Sequence, residues 1–138
     1  NNYRRVLAPY EELVGKKHVN QELMRYEKHR VWEVEGNLKE SFRHVYLRRV
    51  FYIDEDTKGI VATEIYDGRG QLWRVQELGG GVQYELPLCG GSGDTVYDLM
   101  VGRYLMLGLI NEEKPIDFDA QHLDASRYTP SNIRRLGR

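Results

Sequence analysis

The chain holds little of what redox, metal or membrane chemistry requires. Only one of its 138 residues is a cysteine, Cys89. One thiol cannot form an intramolecular disulfide, and "LPLCGGSGD" supplies no CxxC partner. A nucleophilic thiol would need a base and a positive surrounding, so Cys89 reads as a small residue at a strand end. Such scarcity fits the cytosol and the bacterial periplasm equally. No run approaches the roughly 18 apolar residues of a spanning helix. Charge of neither sign dominates: 20 basic and 21 acidic residues leave a net charge of −1. That excludes a general nucleic-acid binder, which needs a basic face, and a polybasic membrane clamp. The opening "NNYRRVLAPYEEL" has no initiator Met and no apolar targeting segment. It reads as an internal fragment or a processed product, so the missing signal says nothing about compartment.

Catalytic and cofactor motifs are equally scarce. "GGSGD" at 90–94 lacks the lysine and the strand–loop–helix frame of a phosphate loop. His29 and Glu33 lie four apart, a metal spacing on a helix but not on a strand. His44 could approach one of them from a neighbouring strand, while His18 and His122 lie in connectors. Asp54, Glu55 and Asp56 read as a solvated hairpin tip rather than a carboxylate pair. Nothing assembles a nucleophile, a base and an oxyanion donor. The expectation is a protein that is not an enzyme and uses no cofactor and no metal.

What is present is enough chain for one domain with a core, and a period that changes along it. Tyr3, Val6, Leu7 and Tyr10, then Leu13 and Val14, follow a helical spacing that Pro9 interrupts, which predicts a short helix after Pro9. From Arg25 the period is two. Strands are predicted at about 26–37, 43–54, 60–67, 71–78 and 82–88. "GNLKESF", "DEDTKG", "DGRG" and "GGG" punctuate them. Connections this short demand antiparallel neighbours, so a meander in sequence order is expected. Residues 89–95 read as a flexible loop. "VYDLMVGRYLMLGLI" reads as a hairpin turning near Gly102, because a helix would carry Gly102 and Gly108 inside it at about 1 kcal/mol each. An irregular polar stretch surrounds Pro115. Thr129 as N-cap, Pro130 at the first position and Arg134 and Arg135 at the end predict a short final helix. Its Ile133 and Leu136 share a face and are expected to dock on the open side of the sheet.

The strands carry bulky groups on both faces. In the second, Val45, Leu47, Phe51 and Ile53 alternate with Tyr46, Val50 and Tyr52, the latter beside His44, Arg48 and Asp54. Trp32 and Val34 in the first strand, and Trp73 and Val75 in the fourth, oppose polar or mixed faces. Three arrangements accommodate this: a covered sandwich, a curled sheet whose concave face holds a ligand, or part of a larger barrel. Arginines such as Arg48, Arg49 and Arg74 can cover apolar surface with their stems and reach an acid or a ligand head group. Cross-strand pairing with Glu33, Glu35, Glu64 or Glu77 is the simpler role for each.

The wording of the strands is more specific than their pattern. "RYEKHRVWEVEGNLKE", "RHVYLRRVFYIDEDT", "YDGRGQLWRV" and "YTPSNIRRLGR" resemble domain of unknown function 1329, a bacterial family similar to outer-membrane lipoprotein-sorting proteins of the LolA/LolB kind. The resemblance runs from about Tyr3 to Arg138, with Arg25 to Val75 the most specific block. At "DEDTKG" it departs: Thr57 and Lys58 stand where an aromatic is expected. The resemblance implies a mainly β protein with a strongly curved antiparallel meander, an incomplete LolA/LolB-like barrel with short terminal helices. Residues 1–138 would be a single domain or the C-terminal part of a larger one. It further implies a periplasmic protein carrying a lipid or other hydrophobic small molecule. Its partners would be an inner-membrane transporter, an outer-membrane component or its own upstream segment, with no nucleic acid. An interaction module without a cavity is the alternative. From the strand faces themselves, the ligand residues expected are Trp32, Tyr46, Val50, Tyr52, Tyr66, Trp73, Arg48 and Arg74. The Tyr46, Val50 and Tyr52 side is expected to be the concave one, since tyrosine suits a cavity that is part apolar and part wet.

Overall fold

A computed structural model describes residues 5, 7–83, 86, 88–91, 93–114 and 124–137. The expected short helix follows Pro9: α1 is one turn, Tyr10–Leu13. Asn20 then caps a 3-10 turn, Gln21–Leu23, its side chain accepting from the Glu22 amide at 3.1 Å. Strands β1 (Val31–Asn37), β2 (Tyr46–Asp54), β3 (Ile60–Asp67) and β4 (Leu72–Glu77) form the expected antiparallel meander.

The meander does not continue in sequence order. β5 (Gly80–Gln83) and β6 (Leu88–Gly91) pair only with each other, Gly80 opposite Gly91 and Gln83 opposite Leu88. This replaces both the single strand at 82–88 and the loop at 89–95. The excursion closes on itself because its ends meet: the Asp94 carboxylate accepts the Gly79 amide at 3.2 Å. That leaves β4 free to pair with β7 (Asp94–Asp98), which turns through Gly102 at φ 65° into β8 (Arg103–Leu107). The hairpin expected at 96–110 therefore forms. The main sheet runs β1-β2-β3-β4-β7-β8, with β1 and β8 as its two edges, and is not closed.

Carboxylates organise two of its turns. At β2–β3, Asp54 Oδ1 accepts from the Asp56 and Thr57 amides and the Thr57 hydroxyl. At β3–β4, Asp67 Oδ1 accepts from the Arg69 and Gln71 amides, both at 2.9 Å, beside Gly70 at φ 77°. At the β2–β3 tip, where the resemblance implied an aromatic, Thr57 bonds Asp54 and Lys58 lies 4.2 Å from the Trp32 ring centre.

The sheet has three register shifts, one of them at the β2–β3 hairpin end between Tyr52 and Ile53, and the other two decide which residues share a face. Between Tyr46 and Arg48, β2 advances two residues against one in β3, and between Ile65 and Tyr66 it is β4 that has the extra residue. Each is a bulge, and a bulge re-aims the side chains beside it. One face of the sheet collects Val50, Tyr52, Glu64, Val75, Thr95, Tyr97 and Tyr104. The N-terminal segment is clasped against its β7–β8 side. Tyr104 donates to the Gly15 carbonyl at 2.6 Å, Asn111 donates to the Ala8 carbonyl at 2.7 Å, and Arg5 donates to that of Gly93 at 3.1 Å. The fully buried side chains among the described residues, Leu13, Val19 and Thr95, lie at this clasp. The opposite, more open face is exposed along its edge strands, Trp32 at 46% and Leu105 at 56%, while Thr63, Ile65 and Asp98 at its centre are buried.

The final helix, α2 (Pro130–Leu136), has the expected Thr129 cap and Pro130 start. Its docking does not occur: Ile133 is 58% and Leu136 70% exposed. The helix is held locally instead. Thr129 Oγ1 accepts the Asn132 amide, Arg135 bonds Asn132, and the neighbouring turn Ala125–Tyr128 packs beside it. The stretch around Pro115, and His122, lie outside the described residues.

Candidate functional site

The eight expected ligand residues divide four and four. Val50, Tyr52, Tyr66 and Arg48 lie on the clasped face. Trp32, Tyr46, Trp73 and Arg74 lie on the open one. Tyr46 is the residue that crosses over. Strict alternation from Val50 would place it with Tyr52, but the bulge pairs it with Asp67 instead. The side expected to be concave is therefore not a single side.

On the clasped face the polar groups satisfy one another. Arg48 lies 3.7 Å above the Tyr66 ring and pairs with Glu35 at 2.9 Å. The Tyr66 hydroxyl donates to Glu64, and this bond pushes its phenol above the ordinary range. Desolvation, followed by the charge of Glu64, raises Tyr52 as well. Bonds from Asn37 and then Arg48 hold the Glu35 carboxyl low. Val50 is buried beneath this layer. Here the simple role of cross-strand pairing holds for Arg48.

The open face is arranged differently. Tyr46 and Trp73 meet edge to face at 5.5 Å. Arg74 donates to the Tyr46 hydroxyl, lies 4.5 Å from the Trp73 ring, and approaches Asp98 at 3.6 Å. Trp73 Nε1 donates to Asp98 at 3.2 Å. The Arg49 guanidinium lies over the Tyr46 ring, 5.0 Å from its centre. Beside this cluster, a groove of about 410 Å³ opens between β1, β2 and their connection. Gly36, Phe42, Arg43, His44, Tyr46, Leu47, Arg48, Arg49 and Phe51 line it, together with Asn37 and Leu38. No carboxylate lines it. Arg43, Arg49, Gly36 and Phe51 were not among the residues expected from sequence. Gly36, read from sequence as the start of a connection, is paired within β1 opposite Arg49, and a glycine inside a strand was the signal that could have revealed them.

A third cluster has metal-ligand chemistry: atoms of His29, Asp54 and Asp56 lie within 4.8 Å of one another. Asp54 already serves the hairpin through Oδ1, and Oδ2 lies 2.6 Å from His29 Nδ1. The arrangement is a capped turn. Bonds to Asp54 and then Glu27 raise the His29 imidazole above its usual value. The Thr57 amide is the main cause that lowers Asp54. A raised base stabilises fully below its unfolded value and loses this as pH climbs through the folded one. A lowered acid stabilises fully above its unfolded value and loses this as pH falls through the folded one. The pair thus supports the hairpin best between about pH 4 and 6.5. A proton NMR titration should place the His29 midpoint above 6.5, and Asp54→Asn should bring it back down. A His29 midpoint that ignores this substitution would dissociate the two groups.

Residues 1–134 match the family described as protein of unknown function (DUF1329), and the chain belongs to that family. An uncharacterized protein of Pseudomonas aeruginosa is 47% identical over 129 residues, covering 93% of this chain and 28% of that protein. The chain thus spans somewhat over a quarter of the curated relative it matches. A crystal structure named for an outer membrane lipoprotein-sorting protein domain from Vibrio parahaemolyticus superposes with a TM-score of 0.48 at 14% identity. That match covers 98% of this chain and 59% of the other.

Proposed function

We propose that this member of the DUF1329 family binds a hydrophobic cargo, a lipid or similar apolar molecule, on the open face of its sheet, and does so without catalysis in the bacterial cell envelope. The carrying observation is that face: Trp32, Val34, Leu105 and Leu107 stand half in water on one side of a well-paired sheet. They form two apolar strips, one at each edge strand of that face, and exposed apolar strips of this kind are where a binding site is sought. Binding asks for no nucleophile or metal, only for apolar area, worth at most about 0.8 kcal/mol per buried methylene. Periplasmic residence and service to an envelope transporter are part of the same reading.

The test is extraction and native mass spectrometry of the purified chain. Co-purified apolar molecules, and enhanced emission of a hydrophobic dye that added lipid reverses, are expected. An empty protein that leaves the dye dark would count against the reading. One observation favours a second reading, an interaction module: the curated relative is far longer than this chain, and its additional residues could cover the face. In that case the dye should bind this chain and be refused by the full-length protein.

A further inference from the structure

We infer that the groove between β1 and β2 is a head-group site for an amphiphile with one anionic head and an aliphatic tail. This rests on the hydrophobe-binding reading and adds the chemistry of the ligand's polar end.

Four features of the groove converge. First, its floor is a glycine with no backbone need to be one. Gly36 is not among the positive-φ residues, and a Cβ there would meet only Phe51 Cε2 at 3.6 Å and the Arg49 carbonyl at 4.0 Å. A glycine weakens a strand, and it is found where something approaches closely. Second, the walls carry unmatched positive charge. Arg48 is paired with Glu35, but neither Arg43 nor Arg49 has a carboxylate partner among the described residues, and no acid lines the groove. Arg49 lies against the Tyr46 ring, which leaves the edge of its guanidinium for an anion. Guanidinium is the group best suited to hold a carboxylate or phosphate. Third, Tyr46 is fixed as the groove's wall. The bulge aims it, Arg74 bonds its hydroxyl, and its amide donates to His44 Nδ1 at 3.0 Å. With Nδ1 accepting, His44 carries its proton on Nε2 as a further donor. Fourth, the groove runs into apolar surface. Phe51 lines it, Phe51 is opposite Val34, and Ile53 is opposite Trp32, so a tail can leave the head group along this strip. A volume of about 410 Å³ lies within the usual range of small-ligand sites, about 300–1,000 Å³.

The experiment compares 12-(9-anthroyloxy)stearate with its methyl ester, which keeps the tail and removes the charge. Emission titrations of the full chain should show the acid bound about tenfold tighter, as charge-assisted bonds to arginine imply. Arg43→Gln/Arg49→Gln should erase this preference while keeping ester binding, and Gly36→Leu should weaken the acid by filling the floor. Arg69→Gln, on the exposed β3–β4 turn, should change nothing. If the double variant fails to fold, Arg43→Gln alone carries the test, since Arg43 lies on an exposed connection. Equal affinity for acid and ester in the unmodified protein overturns the head-group site and leaves hydrophobe binding intact. Binding of neither overturns both. Displacement of the acid by millimolar inorganic phosphate at constant ionic strength would assign the groove to free anions and overturn the amphiphile.

Discussion

Asp98→Ala is expected to lower the stability of the chain by about 2–4 kcal/mol. Asp98 is buried, and its two oxygens serve four donors. Oδ1 accepts from Trp73 Nε1 at 3.2 Å and the Val101 amide at 3.4 Å; Oδ2 faces Arg74 at 3.6 Å and Arg103 at 3.9 Å. Removing the carboxylate leaves a half-buried guanidinium without its countercharge and an indole N–H without its acceptor. Arg74 has little slack for this, because its Nε is already buried without a partner. Asp98→Asn should cost less, since an amide oxygen still accepts from Trp73. Urea titration followed by tryptophan emission would measure both. A change below 1 kcal/mol for the alanine variant would mean that the open-face cluster does not hold the β4–β7 pairing.

Leu13→Ala should be comparably damaging, by about 2–5 kcal/mol. Leu13 is fully buried although it sits in a helix of one turn. A helix so short has no stability of its own; it persists because Leu13 anchors it under the clasp, beside the Val14–Val19 bridge. The truncation opens a cavity and loosens the anchor together. Amide exchange should therefore quicken at Val14 and Asn20, whose N–H groups bond Tyr10 and Leu13. Normal protection there, with an unchanged denaturation midpoint, would place the core elsewhere.

These two residues also mark what the sequence reveals and what it hides. The first four strands, the Gly70 and Gly102 turns and the Thr129–Pro130 start were legible, because each is written locally: alternation, a glycine at positive φ, a hydroxyl one residue before a proline. The β5–β6 excursion was not, because "GGGVQYELPLCGG" satisfies the spacing of one strand and a loop as well as that of a hairpin. What decides between them is the Gly79–Asp94 bond across 15 residues. The bulges were hidden for another reason. Leu47 and Arg48, or Trp73 and Arg74, carry no glycine or proline to announce an extra residue, so strict alternation assigned Tyr46 to the wrong partners. Trp32 and Arg74 reach the open face by the plain register, opposite Ile53 and Ile65, so the candidate set would have been split even without that bulge. Burial of α2 was expected from Ile133 and Leu136 alone, yet the helix is held by its Thr129 cap and the neighbouring Ala125–Tyr128 turn with both side chains exposed.

The clasp has a consequence in time. Leu13 and Val19 leave the ribosome long before the groups that tie their segment down: Tyr104 lies 89 residues after Gly15, and Asn111 lies 103 after Ala8. At about 5–20 residues per second, synthesis alone separates the two by roughly 5–20 s. The β1–β4 meander, with its near neighbours in sequence, can form within that interval, while loop closure makes the distant contacts slower. The clasp is then the last part of the chain to close. Until it does, Leu13 and Val19, fully buried in the folded chain, stay open to whatever chaperone or neighbouring chain is at hand.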